Sequence, residues 1–496
     1  MRSKKTSFVS LFFPSIFVVC MLLFFPFRYR FEFDFDEGVN LIKAMLSLQG
    51  HSIYSDYWSD QPPVFTGLLA LVFRILALNV NAGRLLVLGF STLILVVAMD
   101  YLYRKWGVLH AILGMILIIM LPFYTTLSVS IIIGLPSIAF AMLAFMGLLR
   151  WHDSDSDYWL VFSASFLALS MMTKIWTVIL APIFFAGILV QKSGFQRRKN
   201  NLREGVRPAI IWSLGFVLVA SIILLFIVRP SNILQLISPH LVASNSDSMQ
   251  SLAGRGHVLS YLDDSSILFV LSALGVIYAL KSRAWHTLYL VGWALAAFFL
   301  ITWNAPFWYH HQLLITIPAA MLGAIAIGSA LVEIITRIQT STVRSSISLL
   351  SLVILALSFV LAYDRLPKTL VNFTFNLPNL GSIDSSDDAD FEIVSLIRKY
   401  ADQTHYLFTD RPMYAFRSGM RVSPGLAVIT QKRYVTGQPT QEEILSILEE
   451  TKPEQVIVGR FNIPAVQKYM ESRNFIRVDN SPRSRHYVMR DIYENP

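Results

Sequence analysis

The chain has 496 residues, of which 54% are hydrophobic and only 15% charged, with a formal net charge of +9. Soluble globular chains carry about 25% charged residues, and the apolar runs here are apolar all round rather than striped, which excludes a large soluble core. The basic excess sits in short breaks between apolar runs, where it sets membrane orientation, so nucleic-acid binding is excluded as its purpose.

The first run, 8–27, follows the basic start Met1-Arg-Ser-Lys-Lys5 and ends at Phe25-Pro26-Phe27-Arg28. No small-residue cleavage site follows, so the run reads as an uncleaved first span with the N-terminus inside. It holds the lone cysteine, Cys20, which can form no intramolecular disulfide.

An acidic, aromatic loop, 28–62, comes next. It contains Asp34, Asp36-Glu37-Gly38, an amphipathic stretch Val39–Leu48, then Gly50, Tyr54, Asp60, Gln61 and Pro62-Pro63. Carboxylates held beside an amphipathic helix just outside a span sit at the lipid–water boundary. There Asp36 can take a proton from a hydroxyl or hold a metal, or it can simply cap the helix that begins near Glu37.

Further candidate spans are 63–80, 84–103, 107–123, 130–149, 158–172, 175–191, 209–228, 265–280, 285–302, 312–333 and 346–363. The cluster Lys192, Arg197, Arg198, Lys199, Arg203 and Arg207 predicts a cytoplasmic loop after the seventh run. With the N-terminus inside, an even number of crossings must precede that loop. One run therefore does not cross or a crossing is missing, and the total is 11 or 13. The stretch 158–191 is the suspect, because Lys174 interrupts two short halves. The stretch 229–264 and the tail then lie outside.

Residues 364–389 read as a linker with Asp384, Asp387 and Asp388. From 390 onward helix and strand patterns alternate: a helix at 391–400, strands at 406–409, 456–458 and 486–489, and helices at 442–450 and 464–472. That alternation predicts a small extracytoplasmic α/β domain able to fold apart from the spans.

The order Asp36-Glu37, short helix, Gly50, Tyr54 and Pro62-Pro63, followed by Arg84, Thr173-Lys174 and Tyr309-His310-His311, resembles the GT-C superfamily of membrane glycosyltransferases. It is most similar to the branch with protein O-mannosyltransferases and the bacterial aminoarabinose transferase of lipid A. The likeness covers most of residues 30–330. It implies a GT-C-like module over 1–363 and an inverting transfer of a sugar from a polyprenyl-phosphate donor. The acceptor would be a glycan, lipid or protein reached from the outer face of the plasma membrane. Asp36 would be the base or the ligand of a divalent metal, with Glu37 beside it. Arg84, Lys174, His310, His311, Gln61 and Tyr54 would meet the donor phosphate or substrate. Lys174 reads equally as a snorkelling lysine, and the two histidines as interfacial anchors. The aminoarabinose transferases carry a lysine directly before Pro-Pro; here Gln61 is neutral, which departs from the pattern. Asp34 lies outside the motif. The tail's Asp410-Arg411-Pro412, with Arg417 and Arg421, reads as part of a folded cap. A transporter of lipid-linked sugars and a non-catalytic scaffold are the rival readings, although no matched pair of broken helices marks two transporter halves.

Overall fold

The computed structural model describes residues 2–193, 202–244, 255–303, 307–339, 348–374, 385–481 and 483–494. Arg197, Arg198, Lys199, Arg344 and Asp384 lie outside the described residues, as do residues 245–254 of the polar stretch 229–264.

A chain with so little to offer water closes its backbone hydrogen bonds within helices. In order these are α1 (Arg2–Phe24), α2 (Phe35–Leu48), α3 (Val64–Leu76), α4 (Val80–Trp106), α5 (Val108–Ile119), α6 (Tyr124–Leu127), α7 (Gly134–Ser154) and α8 (Asp157–Met171). There follow α9 (Leu180–Ser193), α10 (Leu202–Ile223), α11 (Ile233–Ser244), α12 (Arg255–Asp263), α13 (Ser266–Lys281), α14 (Leu288–Trp303), α15 (Leu313–Gln339) and α16 (Leu349–Thr374). Six apolar helices are long enough to cross a membrane, and six shorter apolar ones accompany them. All twelve runs expected from the sequence are helical.

The helix bundle has two ends. At one, ion pairs join the helix termini: Lys105–Asp153 at 2.7 Å, Arg150–Asp100 at 3.2 Å and Arg207–Asp157 at 2.6 Å. The other gathers α2, the turn at Lys174 between α8 and α9, the start of α15, and the tail.

The parity problem is resolved at a place other than the one suspected from sequence. The stretch 158–191 makes two full passes, α8 and then α9 with its 3₁₀ lead-in Ile175–Ile179. It is α3 that does not cross. The Val64 N–H at its start donates to the Met172 carbonyl at 3.1 Å, and Phe73 near its finish packs on Phe416 of the tail with ring centroids 5.5 Å apart. Both ends therefore lie on the same side. Phe65, Leu69 and Phe73 are buried, while Leu71, Ile75 and Leu76 are exposed. A helix with protein on one side and lipid boundary on the other is apolar all round, like a span. Removing α3 leaves α1, α4, α5, α7–α10 and α13–α16, which run between the ends: eleven passes among the described residues, the lower of the two expected totals.

The tail contains α17 (Ser385–Lys399), α18 (Pro412–Ser418), α19 (Gln431–Val435), α20 (Gln441–Thr451), α21 (Pro464–Ser472) and α22 (Arg490–Glu494). Its sheet is built from β1 (Leu407–Thr409), β2 (Gln455–Val458), β3 (Phe475–Arg477) and β4 (Arg485–Met489), in the order β1-β2-β4-β3. β1 and β2 are parallel; β4 runs antiparallel to both its neighbours. The short β3 was not anticipated.

The tail does not stand clear of the spans but shares a buried core with them. Ile393, Val394, Ile397, Met413 and Tyr414 share one buried cluster with Leu41, Ile42 and Met45 of α2 and with Phe65 and Leu69 of α3. Gly38 marks the closest approach: a Cβ there would stand 2.6 Å from the Met413 backbone nitrogen, so only glycine fits. Arg411 pairs with Glu32, and Arg30 with Asp387 at 3.2 Å, across the same seam, while Asp390 holds Arg411 from within the tail.

Candidate active site

At the tail end of the bundle lies a cavity of about 220 Å³ walled by α2, the loop before α3, the turn at Lys174, α11, the start of α15, and the tail. It gathers Asp36, Gln61, Lys174, His310 and His311, five of the residues singled out in the sequence.

Asp36 owes its freedom to its neighbour. Asp34, in extended backbone at φ −155° and ψ 148°, is the N-cap of α2, and its side chain accepts the Asp36 N–H at 2.9 Å. Asp36 is thus not the cap. It sits in the first turn, and its carboxylate accepts no hydrogen bond from the described residues. Burial, then the charges of Asp34 and Asp60, push its carboxyl up to about 6, while Arg460 and Lys43 pull the other way. Asp34 proves to be part of the site too: it lines the cavity and accepts the Tyr309 hydroxyl at 2.8 Å.

Asn40 and Lys43 follow Asp36 at helical spacing and face the same space. The Asn40 amide donates to the Ile131 carbonyl at 2.8 Å, and the Lys43 ammonium to Ser59 Oγ at 3.1 Å. The Lys174 side chain makes no hydrogen bond or ion pair among the described residues. Its ammonium lies 5.5 Å from the Trp176 ring centroid. Burial is the first cause that brings it down to about 7, with the Asp36 charge opposing. Lys174 is therefore not a snorkelling residue: it points into the protein. Trp176 packs against His311 with tilted rings whose centroids are 4.1 Å apart; His311 Nδ1 accepts the Trp308 N–H at 3.2 Å, and His310 Nδ1 is buried without a partner among the described residues.

Glu37 and Arg84 lie away from the cavity and bind one another. Both side chains are fully buried, with Arg84 Nη2 2.8 Å from Glu37 Oε2. Arg84 spends its other donors on the carbonyls of Phe27, Arg30 and Phe31. Glu37 also accepts the N–H groups of Phe33 and Ile131. No donor of Arg84 is left for a phosphate, so the pair holds the loop rather than a ligand. Tyr54 likewise works from behind: its hydroxyl donates to the Gln61 carbonyl at 2.8 Å, and its ring packs on Val228 and Leu236.

Several lining residues were missed. Asp60 accepts from the Lys432 ammonium at 3.1 Å, and Lys432 also donates to His240 Nδ1 at 3.0 Å. Nearby, Arg460 lies 3.5 Å from the Phe35 ring centroid. Its backbone is clamped because Asp410 accepts the N–H groups of Gly459, Arg460 and Phe461. Lys43 was legible, as the third member of a polar stripe 36–40–43. Lys432 and Arg460 carry no local signal; only the docked tail brings them in.

A divalent metal would have to draw on Asp34, Asp36 and Asp60, the carboxylates that line the cavity. No three His, Cys, Asp or Glu side chains converge on one point among the described residues. Asp60 is already joined to Lys432, and Asp36 feels the carboxylates Asp34 and Asp60 more strongly than the cations Arg460 and Lys43.

No family model and no curated protein matches the chain. Solved structures do. ArnT from Cupriavidus metallidurans bound to undecaprenyl phosphate superposes with a TM-score of 0.58 at 14% identity, over 95% of this chain and 96% of that one. The archaeal oligosaccharyltransferase AglB from Archaeoglobus fulgidus, in complex with an inhibitory peptide and a dolichol-phosphate, gives 0.55 at 13% identity, over 90% of this chain and 69% of that one. The A. fulgidus oligosaccharyltransferase in complex with Zn and sulfate gives 0.54 at 13% identity, over 91% and 68%. At such identities the likeness is one of fold, and the chain has the GT-C membrane fold.

Proposed function

We propose that the protein is an inverting membrane glycosyltransferase that moves a sugar from a polyprenyl-phosphate donor to an acceptor hydroxyl. The observation that carries this reading is the pairing of two uncommitted groups in one cavity: the Asp36 carboxylate and the Lys174 ammonium. Asp36 accepts the hydroxyl proton as the acceptor oxygen attacks the anomeric carbon. The bond from that carbon to the phosphate oxygen breaks on the opposite face, which inverts the centre, and Lys174 meets the charge that grows on the leaving phosphate. A carboxyl held near 6 is a stronger base than an ordinary aspartate and is still mostly ionised at neutral pH. No step is assigned to a metal.

Arg104, Lys105, Arg207 and Lys281 lie at the end of the bundle opposite the cavity. By the positive-inside rule that end faces the cytoplasm. The cavity and tail then open on the outer face of the plasma membrane, where a glycan, lipid or protein acceptor arrives from water and the donor from the bilayer.

The test is Asp36→Asn, which keeps size and cannot accept the proton. Transfer from a polyprenyl-phosphate sugar is expected to fall by about 10²–10⁴-fold, with protein abundance and donor binding retained. Unchanged transfer would remove Asp36 from the role of base, and a purified wild type that transfers no sugar would return the chain to the scaffold or transporter readings.

A further inference from the structure

We infer that Lys432, carried on the C-terminal tail, is a second ligand of the donor phosphate, which makes the tail a working wall of the cavity rather than a cap. This rests on the reading that the donor is a polyprenyl-phosphate sugar.

The first argument is a count of donors. An ammonium has three N–H groups. Lys432 uses one on Asp60 Oδ2 at 3.1 Å and one on His240 Nδ1 at 3.0 Å. The third is left for the cavity that the side chain lines. The two partners also fix the ammonium before any ligand arrives. They come from distant parts of the chain, Asp60 from the first loop and His240 from α11.

The tautomer of His240 follows from its contacts. Its Nε2 lies 3.0 Å from the Asp60 carbonyl oxygen and must donate to it. Nδ1 is then the acceptor for Lys432, and the ring is neutral. Burial, followed by the Lys432 charge itself, holds His240 below the usual histidine range. One partner of Lys432 is thus charged and the other is not.

The second argument is the excess of cations in the cavity, where Lys43, Lys174, Lys432 and Arg460 face Asp34, Asp36 and Asp60. Lys174 and Lys432 line the same cavity and repel each other. Lys174 has no anion in hydrogen-bond contact. One ammonium held in place and a second with no side-chain hydrogen bond among the described residues, both with N–H groups to spare, match a ligand that presents several anionic oxygens at once, which a phosphate does. Gln61, on the same wall beside Asp60, is neutral. The cation in contact with Asp60 at that wall comes from the tail, with Lys43 of α2 held on Ser59 beside it.

The experiment measures binding to the purified full-length protein of undecaprenyl phosphate and of undecaprenol, its neutral alcohol, and compares the ratio of the two affinities. Lys432→Gln is expected to lower that ratio by about 10- to 100-fold, the range of one charge-assisted hydrogen bond. Lys174→Gln should do the same, Lys432→Arg should largely hold the ratio, and the exposed Lys399→Gln should not move it. A purely structural role for Lys432 would weaken both lipids together and leave the ratio unchanged, which would overturn the inference while Lys174 still upheld the donor reading. A wild-type protein with no preference for the phosphate would instead sink the donor reading itself. Displacement of the lipid by inorganic phosphate at equal concentration would assign the site to a free anion. If Lys432→Gln does not fold, amine labelling of the wild type decides: undecaprenyl phosphate should shield both Lys174 and Lys432, and shielding of Lys174 alone overturns the assignment.

Discussion

Glu37→Gln should damage this protein through its fold and not through its chemistry, and the geometry gives the size of the effect. Glu37 accepts from Arg84 Nη2 at 2.8 Å and Nε at 3.2 Å, from the Phe33 N–H at 2.8 Å, and from the Ile131 N–H at 3.0 Å. Both side chains of the pair have no exposed surface. The glutamine keeps one acceptor oxygen and leaves the Arg84 guanidinium buried without a counter-ion. Breaking a buried pair on one side costs about 3–5 kcal/mol, a large share of the roughly 5–15 kcal/mol that holds a typical domain. Arg84→Met should cost a similar amount, because it strands the Glu37 charge and the carbonyls of Phe27 and Arg30. The double variant Glu37→Gln, Arg84→Met leaves no buried charge and should cost clearly less than the two single changes together. Tryptophan fluorescence of thermal unfolding in detergent reads all four proteins. Activity per folded molecule at a permissive temperature should stay within a few-fold of wild type in each. Additive destabilisation, or a loss of turnover in Glu37→Gln as deep as in Asp36→Asn, would refute the assignment of Glu37 to scaffolding.

The pH dependence of kcat/KM should be a narrow bell: Asp36 must be ionised to act, so the rate climbs with pH up to about 6, and Lys174 must be protonated, so it falls above about 7. Lys174→Arg, charged throughout this range, should remove the alkaline limb and keep the acid one; an alkaline limb that survives assigns it to another group. The isolated tail, residues 385–496, should melt without a cooperative transition because Ile393, Met413 and Tyr414 lose their cover, and Gly38→Ala in the whole chain should make the tail protease-sensitive by pushing on Met413. A sharp two-state melt of the isolated tail would show that the shared core is dispensable.

The fold was legible where a physical constraint acts along the chain. Apolar runs must become helices in a bilayer, so every one was found, and the charge pattern set a parity that the structure satisfies. The sequence could not say which run fails to cross. Hydropathy counts how apolar a segment is and not what covers it, and α3 is apolar on both faces because Phe73 meets Phe416 while Ile75 meets the membrane boundary. Lys174 drew suspicion to α8 and α9 for the opposite reason. A buried lysine looks like a break in a span when it stands in the turn between two.

The site divides along the same line. Asp36, Asn40 and Lys43 are one face of one helix, which spacing alone can give. The roles of Asp34, Asp36 and Glu37 differ although the residues are neighbours, because helix geometry sends them three ways: Asp34 caps, Asp36 opens into the cavity, and Glu37 turns inward to Arg84. No composition argument separates them, since each is an acid in an acidic loop. Lys432 and Arg460 are further still from local reach. They follow the acidic loop by about 400 residues and meet it only because Gly38 lets α18 lie directly on α2. A site assembled this way ties chemistry to docking: whatever loosens the seam at Gly38, Arg411 and Glu32 withdraws a cation from the cavity as well. Variants along the seam should therefore lose donor-phosphate preference in proportion to tail release, although none of those three residues lines the cavity.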